Sequence, residues 1–235
     1  MRQLVTKPSF VYFDLDDTIL DHRKAEKCAL NDVKNTYADH FSASNQKEVE
    51  DIYHAGNVIL WTQYSLGEIT KDQLRRRRFE HLFNELSITD LDPFEIGDYY
   101  VERYTNYWDY CEGAYDGFFK IAEQYPVGIL TNGFAKTQHK KLAQFAEMRD
   151  QLNACVISEE FGHMKPHPKL FAHASEQANT PPEEIVYVGD SMHSDVEGGT
   201  KAGWNVIWYA PDESEAPKEV IHAKNWAEVT DMLIL

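Results

Sequence analysis

The chain has 235 residues, 43% of them hydrophobic and 26% charged, with 12 Gly and 9 Pro, the make-up of a folded globular protein and not of a disordered or low-complexity one. Asp and Glu outnumber Lys and Arg by 39 to 23, and the resulting net charge of −16 repels phosphate backbones, so no nucleic-acid polymer is expected as a partner. No apolar run reaches the roughly 18 residues of a membrane span, and Met1 to Phe13 lacks the basic head and apolar stretch of a signal peptide. Cys28, Cys111 and Cys155 are too scattered for a disulfide framework or a zinc site. A cytoplasmic protein with no membrane partner is expected, as a monomer or homodimer.

Short apolar runs at Phe10–Phe13, Val127–Leu130, Cys155–Ile157, Ile185–Val188 and Val206–Tyr209, each followed by polar or Gly-rich residues, predict five buried strands. Helical patterns at Phe134–Met148, Pro168–Gln177 and Ser194–Ala202 alternate with the later strands. That alternation predicts an α/β fold with a parallel, doubly wound, Rossmann-like sheet.

Between the first two strands the pattern changes. Ala25, Cys28, Ala29, Val33 and Tyr37 recur at helical spacing, as do Phe79, Leu82, Phe83 and Leu86 behind a Thr70-x-x-Gln73 capping box. Asp92-Pro93 starts a further helix through the aromatic Tyr99–Trp108 stretch. Residues 21–110 are therefore expected to form an all-helical domain inserted into a core of residues 1–20 and 111–235. Its two connections, near Leu20–His22 and Cys111–Gly113, would lie side by side and hinge. Arg75–Arg78 reads as a solvated helix face.

Ligands of open parallel sheets bind beyond the carboxyl ends of the strands. The first strand runs into Asp14-Leu15-Asp16-Asp17-Thr18, the second into Thr131-Asn132-Gly133, the third leads to Lys165-Pro166, and the fourth ends in Gly189-Asp190 with Asp195 beyond. Singly, a DxD is also a helix cap and a Thr-Asn-Gly is also a turn. Together, in this order on this topology, they describe one site. Asp14 and Asp16, two apart at a strand end, project the same way and can face one ligand together.

The set Asp14/Asp16, Thr131, Lys165 and Asp190/Asp195, with a helical insertion after the first motif, resembles the haloacid dehalogenase superfamily with a helical (C1) cap. The resemblance implies a magnesium-dependent phosphatase acting on a small phosphorylated metabolite. Asp14 would be the nucleophile that becomes an aspartyl-phosphate, and Asp16 the general acid and base. Thr131 and the Asn132 backbone would bind phosphate oxygens, and Lys165 would bridge nucleophile and phosphate. Asp190 would hold Mg²⁺ with Asp14 and the Asp16 carbonyl. Asp195 would reach the metal through water, orient Lys165, or cap the following helix. Four carboxylates against Mg²⁺ and one lysine leave one negative charge, which a proton on Asp16 removes, so acceptance of a phosphate dianion requires the metal. The second aspartate and the metal ligand speak against dehalogenation itself.

Trp61 to Tyr64, Gly67-Glu68-Ile69-Thr70, Arg78-Phe79-Glu80, Thr131-Asn132-Gly133-Phe134 and Ile157-Ser158-Glu159-Glu160 resemble the bacterial pyrimidine 5'-nucleotidase branch. Trp61, Tyr64, Trp108 and Phe134 are candidates to meet a nucleobase, and Phe134, directly after the phosphate-binding turn, is the best placed, although for each of the four packing is the stronger reading. His163, His167 and His193 receive no role, because a carboxylate-rich site suits magnesium and not an imidazole-bound metal. A sugar-phosphate phosphatase, a phosphosugar mutase and a catalytically silent binding protein remain alternatives.

Overall fold

In the computed structural model, which describes residues 7–234, Phe10–Phe13 (β1) is buried at all four positions. A fully apolar strand of this kind is stable only where helices cover both faces of its sheet. Val11 and Phe13 join one apolar cluster and Phe10 and Tyr12 another, as the two-residue period of a strand demands. The chain divides into two units, Met1–Asp21 with Tyr110–Leu235, and His22–Asp109.

The second unit is helical: α1 (His22–Thr36), α2 (Gln46–Ser65), α3 (Lys71–Glu85) and α4 (Pro93–Tyr104). The Thr70–Gln73 box caps α3 reciprocally, and Asp92 caps α4 with Pro93 in its first turn. The rings of Tyr53, Phe79 and Tyr100 pack together with centroids 5.3–5.5 Å apart. The sequence predicts that the last helix runs on toward Trp108, but it stops at Tyr104. No periodicity announces α2, because Gly56 and Asn57 sit in its buried stripe while Val58 and Ile59 face outward. Glu26, buried on α1, accepts from Asn57 Nδ2 at 3.2 Å and lies 3.1 Å from His54 Nδ1.

The first unit continues with α5 (Ala114–Ala122), β2 (Val127–Thr131), α6 (Ala135–Gln144), α7 (Ala146–Arg149), β3 (Leu152–Ile157), α8 (Ser158–Phe161) and α9 (Pro168–Ala178). After β4 (Ile185–Gly189) come a π-helical turn at Met192–Glu197, α10 (Gly198–Lys201), β5 (Asn205–Tyr209), β6 (Ile221–Ala223) and α11 (Trp226–Ile234). The sheet is parallel throughout, in the order β3-β2-β1-β4-β5-β6. Phe118 and Ile121 of α5 and Trp226 and Val229 of α11 cover one face, and Leu170, Phe171 and Ala174 of α9 the other.

Three departures from the sequence reading are local. The described sheet has six strands and not five, because β6 is too short to show alternation. The single helix predicted over Phe134–Met148 is broken at Phe145, whose φ of −100° and ψ of 54° lie outside the helical region. The helix predicted over Ser194–Ala202 begins two residues earlier, in a wide turn capped by Ser191.

Candidate active site

The first motif is a tight loop at the carboxyl end of β1. Asp14 N–H still donates to Val188 O of β4 at 2.9 Å, but Leu15 O then accepts from Leu20 N at 2.8 Å and the chain doubles back. Asp17 takes a positive φ of 57° to close the turn. Leu20 pairs with Tyr110, and Cys111 N donates to Ile19 O at 2.8 Å, so the strand that leaves the core unit lies beside the one that returns.

Lys165 joins three of the predicted residues. Its ammonium, fully buried, lies 2.9 Å from Asp14 Oδ1 and 2.7 Å from Asp195 Oδ1, and donates to the Tyr187 hydroxyl at 2.7 Å. Burial works against this charge, yet the two aspartates outweigh it and hold the Lys165 pKa above the ordinary lysine value. Asn132 supports the same loop through its side chain, accepting from Lys165 N at 2.8 Å and donating to Lys165 O at 3.0 Å. Asp195, completely buried, also accepts from Ser191 N at 3.0 Å, so its carboxylate is held between the lysine and the turn after β4.

Carboxylate oxygens of Asp14, Asp190 and Asp195 lie within 4.8 Å of one another. Burial pushes Asp14 up to about 7 against the pull of Lys165, with Asp195 and Asp16 adding to the rise. Asp190 is likewise raised, first by burial and then by Asp195 and Asp14. Asp14 Oδ1, although close to Lys165, makes no hydrogen bond of good geometry. A hard, oxygen-seeking divalent cation answers both conditions, supplying positive charge and a partner for the buried oxygen; this donor set therefore fits magnesium.

Asp16 and Thr131 belong to a second group. Gln138 of α6 donates from Nε2 to Asp16 Oδ2 at 2.9 Å and to Thr131 Oγ1 at 3.0 Å. Lys141, one helical turn on, forms a short ion pair with Asp16 Oδ1. Lys141, Gln138 and Tyr187 were not evident in the sequence. The run Lys136-Thr137-Gln138-His139-Lys140-Lys141 looks like a solvated helix face, and Tyr187 looks like one more apolar strand residue. The available signal was the three-residue spacing of Gln138 and Lys141 directly after the Thr-Asn-Gly turn, which puts both on one side of α6.

The remaining candidates are less connected. Phe134 stands half-buried at the N-cap of α6, its carbonyl accepting from Gln138 N at 3.0 Å. Within the helical unit Trp61 and Tyr64 pack edge to face with centroids 5.7 Å apart, Trp108 is buried against Tyr104, and the Arg78 guanidinium lies 5.7 Å from the Trp61 ring centre. Arg75 and Arg76 pair with Asp98 and Glu80. His167 caps α9 and His193 pairs with Glu197.

An open parallel sheet whose carboxyl edge gathers carboxylates around a buried lysine is the framework of a hydrolase. Residues 10–203 match the haloacid dehalogenase-like hydrolases, and the chain belongs to that family. It is 29% identical to the pyrimidine 5'-nucleotidase YjjG of Escherichia coli, over 94% of this chain and 93% of that protein. It is 30% identical to the pyrimidine 5'-nucleotidase PynA of Streptococcus pneumoniae, over 88% and 85%. The magnesium-bound crystal structure of the putative hydrolase YfnB of Bacillus subtilis, 26% identical, superposes with a TM-score of 0.83 over 98% of this chain and all of that one. No helix among the described residues is long and apolar enough to cross a membrane.

Proposed function

We propose that the protein is a magnesium-dependent phosphomonoesterase that acts through an aspartyl-phosphate on nucleoside 5'-monophosphates, pyrimidine ones foremost. The observation that carries this reading is the Lys165 ammonium, 2.9 Å from Asp14 Oδ1, beside carboxylates whose oxygens crowd within 4.8 Å. Nucleotide preference is supported by the names of the two relatives, YjjG and PynA.

Asp14 attacks phosphorus, the bond from phosphorus to the ester oxygen breaks, and the Asp16 carboxyl proton passes to that oxygen. Water then attacks the aspartyl-phosphate and gives its proton to Asp16, the bond between phosphorus and the Asp14 oxygen breaks, and inorganic phosphate leaves. Lys165, the Thr131 hydroxyl and the Asn132 backbone N–H hold the phosphoryl oxygens. Asp14, Asp190 and the Asp16 main-chain carbonyl would hold magnesium, which would supply positive charge against those oxygens. With Lys141 counted beside Lys165, four carboxylates would meet two lysines and one divalent ion, so the site is neutral with Asp16 ionised, the form that takes the proton of the attacking water, and carries one positive charge when Asp16 holds the proton it gives to the ester oxygen.

The test is phosphate release from nucleoside 5'-monophosphates and sugar phosphates, with magnesium or EDTA, and Asp14→Asn as the blank. Metal-dependent release that favours pyrimidine nucleotides is expected. Preference for sugar phosphates overturns the nucleotide assignment and leaves the chemistry; turnover only with a bisphosphate activator turns the reading into a mutase.

A further inference from the structure

Gln138 and Lys141 carry a cost that the fold does not require. Both are almost fully buried, on a helix whose exposed face has room for polar residues. The Gln138 carbonyl Oε1 is buried without a hydrogen-bond partner, an uncommon expense that the other atoms of the side chain must offset. The offset comes from Nε2, whose two N–H groups reach Asp16 Oδ2 at 2.9 Å and Thr131 Oγ1 at 3.0 Å. Gly133 makes the approach possible, since a Cβ there would stand 2.5 Å from Gln138 Nε2. Lys141 takes the other Asp16 oxygen, so each carboxylate oxygen has a donor from α6, while the Asp16 side chain remains 24% exposed.

We propose that Lys141 and Gln138 are positioning residues that fix the Asp16 carboxylate and set its spacing from the Thr131 hydroxyl. The inference rests on the phosphatase reading above. A carboxyl that must reach the leaving oxygen in one half-reaction and a water in the other benefits from a fixed plane, because proton transfer needs heavy atoms within hydrogen-bond reach. Two donors on two oxygens define that plane; a single donor leaves the group free to rotate. The shared Gln138 amide links it to the residue that holds a phosphoryl oxygen, so the acid is registered to the phosphate and not to the protein surface alone.

The experiment compares p-nitrophenyl phosphate, whose leaving group departs without help, with a nucleoside 5'-monophosphate, whose alkoxide needs a proton. Lys141→Met should lower kcat/KM about 100-fold for the nucleotide and less than about tenfold for the nitrophenyl ester, the pattern of a misplaced acid. Lys141→Arg should regain at least about tenfold of the nucleotide loss, and Gln138→Leu should reproduce the selectivity with a smaller loss. Equal losses on both esters, or none, overturn the proposal. If Lys141→Met fails to melt cooperatively, Gln138→Leu, which removes an orphaned carbonyl along with the donors, carries the comparison. If the wild-type chain cleaves neither ester, the phosphatase reading fails and this inference with it. Wild-type turnover with leaving-group-selective loss in Asp16→Asn but not in Lys141→Met or Gln138→Leu overturns the positioning role alone.

Discussion

The Lys165 ammonium donates to the Tyr187 hydroxyl at 2.7 Å, inside the sheet and out of contact with solvent. That hydroxyl also lies 2.9 Å from Leu130 O and 3.0 Å from Asp195 Oδ1, so one phenol joins β2, β4 and the buried cation. Tyr187→Phe leaves the ring in place and strips Lys165 of an acceptor. The expected cost is about 1–3 kcal/mol in chemical denaturation, with kcat reduced. A change below about 0.5 kcal/mol would contradict the arrangement.

Gly189 has a steric duty. A Cβ at this position would stand 2.5 Å from Asp195 Oδ2, so Gly189→Ala pushes Asp195 away from Lys165. Stability should fall by about 1–3 kcal/mol, and turnover of any phosphate ester should fall at least about tenfold. Normal steady-state rates for this variant would show that the lysine does not need Asp195.

Magnesium should stabilise the fold through the crowded carboxylates. At about a hundredfold over its dissociation constant the ion contributes about 2.7 kcal/mol, a rise of several degrees in melting temperature. Asp190→Asn should abolish most of that rise. Without the ion, burial pushes Asp14 up to about 7 while its unfolded value stays near 4. A carboxyl raised in the fold lowers stability once it must ionise, so the metal-free protein should gain stability as pH falls from about 7 to about 5. Calorimetry with and without EDTA across that range checks both statements; a metal shift independent of Asp190 would refute the ligand set.

Glu26 behaves in the opposite sense. Burial raises its carboxyl, but the His54 hydrogen bond and the charges of His22, His54 and Arg78 more than offset that and hold it below the usual glutamate value. A depressed carboxyl stabilises the fold above its unfolded pKa and loses that contribution as pH falls through the folded one. Glu26→Gln should therefore melt below wild type at pH about 5.5, by roughly 1–3 kcal/mol, and the deficit should narrow by pH about 3.5. A deficit that stays constant between the two pH values would show that the charge plays no part.

The sheet was readable because β1, β2, β4 and β5 are short apolar runs, and because the motifs that follow β1, β2 and β4 fall at carboxyl ends. The helices α3 and α4 were readable through their caps, which are local chemistry. Glu26, Gln138 and Lys141 were not readable, since a buried polar residue looks like a surface one until its partner, tens of residues away, is known. Asp195 was found as a residue, but its 2.7 Å contact with Lys165 was not, since the two lie thirty residues apart. α2 stayed hidden because its inward stripe is interrupted by Gly56 and Asn57.

The position of β1 bears on how the chain is made. It precedes both of its neighbours in the chain, yet it lies between β2 and β4, with Val11 opposite Val127 and Phe10 opposite Ile185. Until those partners emerge, an apolar Phe-Val-Tyr-Phe segment has both edges bare, the kind of strand that recruits a neighbouring chain. The residues from His22 to Asp109 carry their own apolar contacts, among them Leu30, Leu74, Phe79 and Tyr100, and can consolidate first. Translation that stalls before Val127 would therefore leave β1 with both edges unpaired, and a stall between Thr131 and Ile185 would leave one edge bare, so cotranslational shielding of β1 bears on yield.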